Sequence, residues 1–179
     1  MFKEEFYVNQ VQLRQNFSRK GVTGSGLGRT LLHKYISQRM LLPVQLLLEK
    51  GMDPNARDND DYTPLHLAII GVLAAQFEIV NSLLQKGASV NEVTSRGMTP
   101  LMLACMYAEP TVVKLFVDGG AEVGLKDNNG ETAWDHAKKA SYYMHTKEKQ
   151  VKQVKQILKN AGGKSGTFPW LNRVRKRAG

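Results

Sequence analysis

The residues best suited to chemistry are few. Of the 179 residues, four are histidine (His33, His66, His136 and His145) and one is cysteine, Cys105. An imidazole could act as an acid, a base or a metal ligand, but each role needs a partner: a carboxylate at hydrogen-bond reach, or further ligands at metal spacing. Neither His33 nor His66 has such a cluster near it in sequence. His136 and His145 lack paired partners and read as structural or solvent-facing. Two glycine patterns invite a nucleotide reading, and both fail. In Gly24-Ser-Gly26-Leu-Gly28-Arg29 the third glycine of a dinucleotide fingerprint would fall on Arg29, and no apolar strand precedes it. A phosphate loop at Gly163-Lys164-Ser165 needs glycine where Leu158 stands, inside a helical pattern. No catalytic residue, cofactor or metal is therefore expected, and the chain reads as non-enzymatic.

The elements that hold these residues explain them better than chemistry does. Four segments align: GRTLLHKY from Gly28, DYTPLHLA from Asp61, GMTPLMLA from Gly97 and GETAWDHA from Gly130, with Thr30, Thr63, Thr99 and Thr132 spaced by 33, 36 and 33 residues. A second signature follows in register. It reads LLLEKGMDPN to Asn55, SLLQKGASVN to Asn91 and LFVDGGAEVG to Gly124. His33 and His66 occupy one slot of this repeat, where Met102 and Asp135 stand in the later units, so the imidazoles do not converge on one point.

One unit can be read physically. Thr63 suits an N-cap, and Pro64 suits the first helical position, where its fixed φ helps and its missing N–H costs nothing. Leu65, Ala68 and Ile69 then face inward, and Cys105 takes the slot of Ile69 in the next unit, where a thiol is poorly exposed and behaves as a small hydrophobe. A second helix buries Ile79, Val80, Leu83 and Leu84. Gly51, Gly87 and Gly120 end these second helices, and polar connections rich in Asn, Asp and Gly follow, as turns require. A helix pair this small cannot bury its face alone, so the units must stack, with Leu47, Leu84 and Phe116 at equivalent positions.

The period and the Thr-Pro-Leu-His-x-Ala pattern resemble those of the ankyrin repeat family. The resemblance runs from about residue 28 to 162, strongest in units two and three; TLLH and TAWD replace TPLH in the outer two. It implies an all-α solenoid of about four stacked helix-turn-helix repeats, starting near 28, 61, 97 and 130, joined by β-hairpin-like fingers. It also implies that His33 and His66 hydrogen-bond the neighbouring turn. The helix KQVKQVKQIL caps the stack, with Val151, Val154, Ile157 and Leu158 on one face and Lys149, Lys152 and Lys155 on another. About eight extra residues around SYYMHTKE separate it from the helix before it. Residues 1–27 form an N-terminal arm that could supply a half-unit through Leu13 and Phe17, and residues 163–179 form a basic tail.

Family members bind other proteins through the concave groove lined by first helices and finger tips. On this chain that face maps to Lys34 and Gln38 in unit one, Leu67 and Ile70 in two, Leu103, Met106 and Tyr107 in three, and His136 and Lys139 in four. Arg57, Asp60, Tyr62, Glu92, Arg96, Met98, Lys126 and Asn128 from the fingers would rim it. An apolar centre inside a polar rim is the anatomy of a protein interface. The same apolar residues could instead pack on each other or lie under the three-residue insertion in GVLAAQ.

Charge supplies the alternative. Residues 1–27 carry 4 basic and 2 acidic side chains, residues 28–137 carry 9 and 13, and residues 138–179 carry 12 and 1, so the net +9 belongs to the C-terminal quarter. Lys152 and Lys155 on the last helix, with Arg173, Arg175, Lys176 and Arg177 beyond it, could attract nucleic acid or an anionic membrane surface. Phe168, Trp170, Leu171 and Val174 could stack on bases, enter a lipid interface or fold back over the last repeat. The N-terminus lacks the charged-then-apolar order of a signal peptide, and the longest apolar window, Leu65 to Phe77, falls short of the roughly 20 residues that span a bilayer. With a single cysteine, a cytoplasmic setting is expected, and a leaderless export route stays open. Partner identity and oligomeric state are not legible.

Overall fold

A computed structural model describes residues 27–70, 75–143 and 148–164, with only the backbone path at 75, 76 and 141–143. The proposed N-terminal half-unit, residues 71–74 of the insertion, and Arg173, Arg175, Lys176 and Arg177 lie outside those residues. The described residues form eight helices and no strand: α1 (Leu31–Ser37), α2 (Leu41–Glu49), α3 (Pro64–Ile69), α4 (Ala75–Gln85), α5 (Pro100–Met106), α6 (Pro110–Asp118), α7 (Ala133–Tyr143) and α8 (Glu148–Asn160). They make four helix pairs, each opened by one of the repeating threonines, so the all-α solenoid stands.

Each first helix begins because a threonine seals it. The Thr30, Thr63 and Thr99 hydroxyls accept from the amide three residues on, and their own amides donate to the side chain of that residue, a reciprocal box that satisfies otherwise orphaned donors. In unit four the Asp135 carboxylate accepts from both the amide and the hydroxyl of Thr132, at 3.0 and 2.9 Å. Second helices end on glycine. Gly51, Gly87, Gly120 and Gly162 all have φ between 80° and 85°, and the next amide reaches back to Leu47, Leu83, Phe116 and Leu158 at 2.8–3.1 Å. With the glycine amide's own bond to Leu48, Leu84, Val117 or Lys159 O, at 3.0–3.1 Å, this closes a left-handed cap, a conformation in which a side chain is strained.

These caps define the register of the core. Leu47, Leu83, Phe116 and Leu158, four residues before each cap glycine, are fully buried. The expectation for unit two is thereby corrected: Leu83, not Leu84, is the partner of Leu47 and Phe116, and Leu84 is half-buried. Leu65, Ala68, Ile69 and Cys105 are buried in the same continuous cluster, and burial pushes the Cys105 thiol pKa far up. On α8, Val151, Val154 and Leu158 are buried, Ile157 is half-buried, and Lys149 and Lys152 are exposed, an amphipathic end cover. Part of the insertion expected between α7 and α8 instead extends α7, which runs to Tyr143.

The connections between units are turns rather than paired strands. Asp58 Oδ1, Thr94 Oγ1 and Asp127 Oδ1 each accept two amides within their own finger. Neighbouring fingers then join through one backbone bond each: Asn59 to Leu27, Ser95 to Asp60 and Asn128 to Arg96, at 3.0–3.2 Å. The contact is tight enough to couple residue choices. A Cβ on Gly97 would meet Asn128 at 2.7 Å and one on Gly28 would meet Asn59 at 2.2 Å. Where Asp61 takes the glycine's place, at φ 60°, the facing finger carries the smaller Ser95. A second ladder uses asparagine. Asn55 receives the Ser89 amide at 2.8 Å and donates to Gly87 O at 3.0 Å, and Asn91 receives the Glu122 amide at 2.9 Å and donates to Gly120 O.

Candidate protein-binding face

His33 and His66 are fully buried and do the same work one unit apart. Nδ1 of His66 accepts the Thr63 amide at 3.2 Å and lies 2.8 Å from the Thr63 hydroxyl, so Nε2 carries the proton and donates to Met98 O at 3.0 Å. His33 repeats this with Thr30 and with Tyr62 O at 2.9 Å. One neutral ring therefore closes its own helix and ties it to the next finger. Burial lowers the His66 pKa to about 4, against a partial rise from the Met98 carbonyl; His33 is lowered for the same reason. Both ring nitrogens are committed, so neither histidine presents a lone pair to a substrate or an ion.

The groove residues divide by depth. Leu67 and Leu103 are 8% and 4% exposed and His136 is 5% exposed, so these three, mapped from sequence as contact residues, lie within the stack instead. The physical reason is the close approach of successive first helices, which places the fourth residue after each unit's threonine in the seam between units. Lys34, the unit-one residue at that position, is exposed. The accessible apolar centre is narrower than expected: Ile70 is 38% exposed, and Met106 and Tyr107 are half-buried. Gln38 and Lys139 are exposed at the two ends.

The finger rim is partly self-neutralised. Arg57 pairs with Glu92, sits 3.3 Å from Asp61 and donates to Val93 O at 3.1 Å, which stitches two fingers together. Asp60, Arg96 and Lys126 are exposed, as is Asn128, whose amide nonetheless donates to Ser95 O at 3.0 Å; Tyr62 and Met98 are half-buried, with the Tyr62 ring edge-on to His66 at 5.9 Å. Lys152 is exposed on α8 and ion-paired to Glu148, and Lys155 is half-buried.

A polar cluster in unit four escaped sequence reading. Asp127, Glu131 and His136 are all buried, with Nε2 of His136 3.0 Å from Asp127 and 4.0 Å from Glu131. The available signal was that Glu131 and His136 replace the Tyr62/Leu67 and Met98/Leu103 pairs of the preceding units.

Comparison with known proteins decides the family. A family model of ankyrin repeats (three copies) matches residues 8–92 and 70–161.

The chain belongs to the ankyrin repeat family.

Ankyrin repeats are generally protein–protein interaction modules. The relatives include an ankyrin repeat protein of Rickettsia bellii, 34% identical over 101 residues, with 55% of this chain and 29% of the relative covered. The human B-cell lymphoma 3 protein is 39% identical over 96 residues, covering 52% and 21%. Human ankyrin repeat and SOCS box protein 16 is 34% identical over 111 residues, covering 62% and 24%. The chain thus spans less than a third of the length of each of these relatives. Among the described residues no helix is long and apolar enough to cross a membrane.

Proposed function

We propose that this ankyrin stack is a non-enzymatic protein-binding module that seats a partner protein in its concave groove. The observation that supports the reading is the apolar strip on the first-helix side, formed by the exposed Ile70 and the half-buried Met106 and Tyr107 and flanked by the exposed finger residues Asp60, Arg96, Lys126 and Asn128. Desolvating such a strip supplies affinity while the charged tips select orientation. Leu67, Leu103 and His136 support the strip from below rather than touching the partner.

Tyr107→Ala and Met106→Glu should each weaken partner capture while leaving the urea midpoint of the stack within the range of ordinary surface variants. Retained capture by both variants would remove the groove as the binding face. The competing polyanion reading runs through Lys152, exposed, and Lys155, half-buried, on α8, together with Arg173, Arg175, Lys176 and Arg177 of the tail. Measured across a salt series, a polyanion complex loses affinity steeply and fails when residues 164–179 are deleted; groove binding survives both.

A further inference from the structure

The fourth unit departs from its predecessors at two positions in a way that stacking does not require. One residue before the threonine, Tyr62 and Met98 give way to Glu131; four residues after it, the buried Leu67 and Leu103 give way to His136. Burying ionisable groups where the preceding units bury hydrocarbon carries a desolvation cost, so the exchange calls for a compensating charge. Together with Asp127 these residues bring one imidazole nitrogen and two carboxylate oxygens within 4.8 Å of one another, all buried.

The histidine differs from its two counterparts in the feature that matters for ligation. In His33 and His66, Nδ1 is held as an acceptor by a threonine, which keeps the proton on Nε2 and its lone pair out of reach. His136 Nδ1 is buried with no hydrogen-bond partner among the described residues. Without an ion, Nε2–H of His136 donates to Asp127 Oδ2, which as a carboxylate can only accept; because no partner holds Nδ1, the ring's proton can move there when a cation takes the place of the Nε2 hydrogen. Asp127 Oδ1 is committed to the Asn129 and Glu131 amides at 2.9 Å, which fixes the carboxylate and leaves Oδ2 aimed at His136. On the solvent side the Lys139 ammonium, 46% exposed, lies 2.5 Å from Glu131 Oε2. It stands where a cation would stand and is long and exposed enough to swing away.

We propose that Asp127, Glu131 and His136 form a binding site for one divalent ion of the zinc class, entered from the Lys139 side. One imidazole with two carboxylates suits zinc better than magnesium or calcium, which favour all-oxygen shells of six or more ligands. Ligation would run through His136 Nε2, Asp127 Oδ2 and Glu131 Oε2. The side facing Lys139 is left for water. The displaced lysine moves to solvent, and the ring's single proton then sits on Nδ1. That N–H gains no second-shell acceptor, which sets affinity in the micromolar rather than the nanomolar range. The ion would clamp the last finger to α7, independently of whether the groove holds a partner.

The test titrates the full chain with Co(II), followed by its visible absorption, and then displaces it with Zn(II). One saturable equivalent is expected in the micromolar to submillimolar range. His136→Leu restores the residue type of units two and three and so keeps the stack folded, which far-UV circular dichroism checks; it should abolish that equivalent. Asp127→Asn retains an oxygen for the turn amides and should also weaken uptake. Lys139→Met should tighten Co(II) binding about tenfold, because it removes a competing cation beside Glu131. Absence of a saturable equivalent in both the wild-type chain and Lys139→Met overturns the proposal and leaves the cluster a purely ionic network. Uptake unchanged by His136→Leu overturns it too, placing the ion elsewhere.

Discussion

Unit two and unit four face the same task and solve it with different chemistry. Each must close the start of a first helix after a threonine. In unit two His66 accepts from Thr63 with one nitrogen and donates to Met98 O of the following finger with the other, so cap and stitch are one residue. Among the described residues no finger follows unit four. There Asp135, which can only accept, closes the helix, and Thr132 donates to Lys164 O at 2.8 Å. A side chain that both accepts and donates stands where two described units meet, and an acceptor caps the last described unit. Unit three lies between them: Met102 Sδ accepts from the Thr99 amide at 3.5 Å, a weak cap, and has no hydrogen to offer the next finger. The seam between units three and four therefore relies on packing and on finger contacts from Asn128, at 3.1 Å to Arg96 O and 3.0 Å to Ser95 O.

If apolar stacking sets the scale and polar stitches modulate it, the largest loss should come from the core. Leu65→Ala, at a fully buried position, should cost about 2–5 kcal/mol in urea denaturation, as the cavity it leaves is walled by two units. A smaller cost than that of the histidine variants would reverse the ranking.

Next comes the stitch, which pH can probe without mutation. The His66 pKa is about 4 in the folded chain against 6.5 ordinarily, so between those values the unfolded chain binds a proton that the folded chain refuses. Stability is therefore full above about pH 6.5 and falls as pH drops toward 4, by on the order of 3 kcal/mol from this residue, with His33 acting in the same direction. His66→Ala should lower stability at neutral pH by about 1–3 kcal/mol and flatten that acid limb. An unchanged limb in the variant would deny His66 the role.

The smallest effect sharpens the comparison most. Met102→His places the bifunctional residue in the unit that lacks it, with Glu131 O standing where Met98 O stands for His66. A gain of about 0.5–1.5 kcal/mol is expected. A loss would mean that the seam between units three and four is spaced differently from the one before it.

Much of the fold could be read from local chemistry. Thr30, Thr63, Thr99 and Thr132 start helices because a short hydroxyl side chain seals orphan amides, and Gly51, Gly87 and Gly120 end them because the caps need positive φ; both requirements are met within a few residues of chain. The core register slipped by one residue at Leu84, since LL in SLLQKG offers two leucines and only the distance back from the cap glycine tells them apart. The contact face was half legible. Of the mapped residues Ile70 is exposed and Met106 and Tyr107 are half-buried, whereas Leu67, Leu103 and His136 are buried, because how far a side chain sinks depends on how closely the neighbouring unit approaches.

The order of the helices, their caps and their repetition were already present in the amino-acid string, because each depends on groups separated by a few bonds along one chain. What only the assembled stack decided was the meeting of groups from different turns: the reach of His66 to Met98 O, the bond from the Ser95 hydroxyl to Asp60 O, and the burial of Asp127 and Glu131 around His136. Those depend on the offset between units, a sum of many weak apolar contacts that no single stretch of sequence contains.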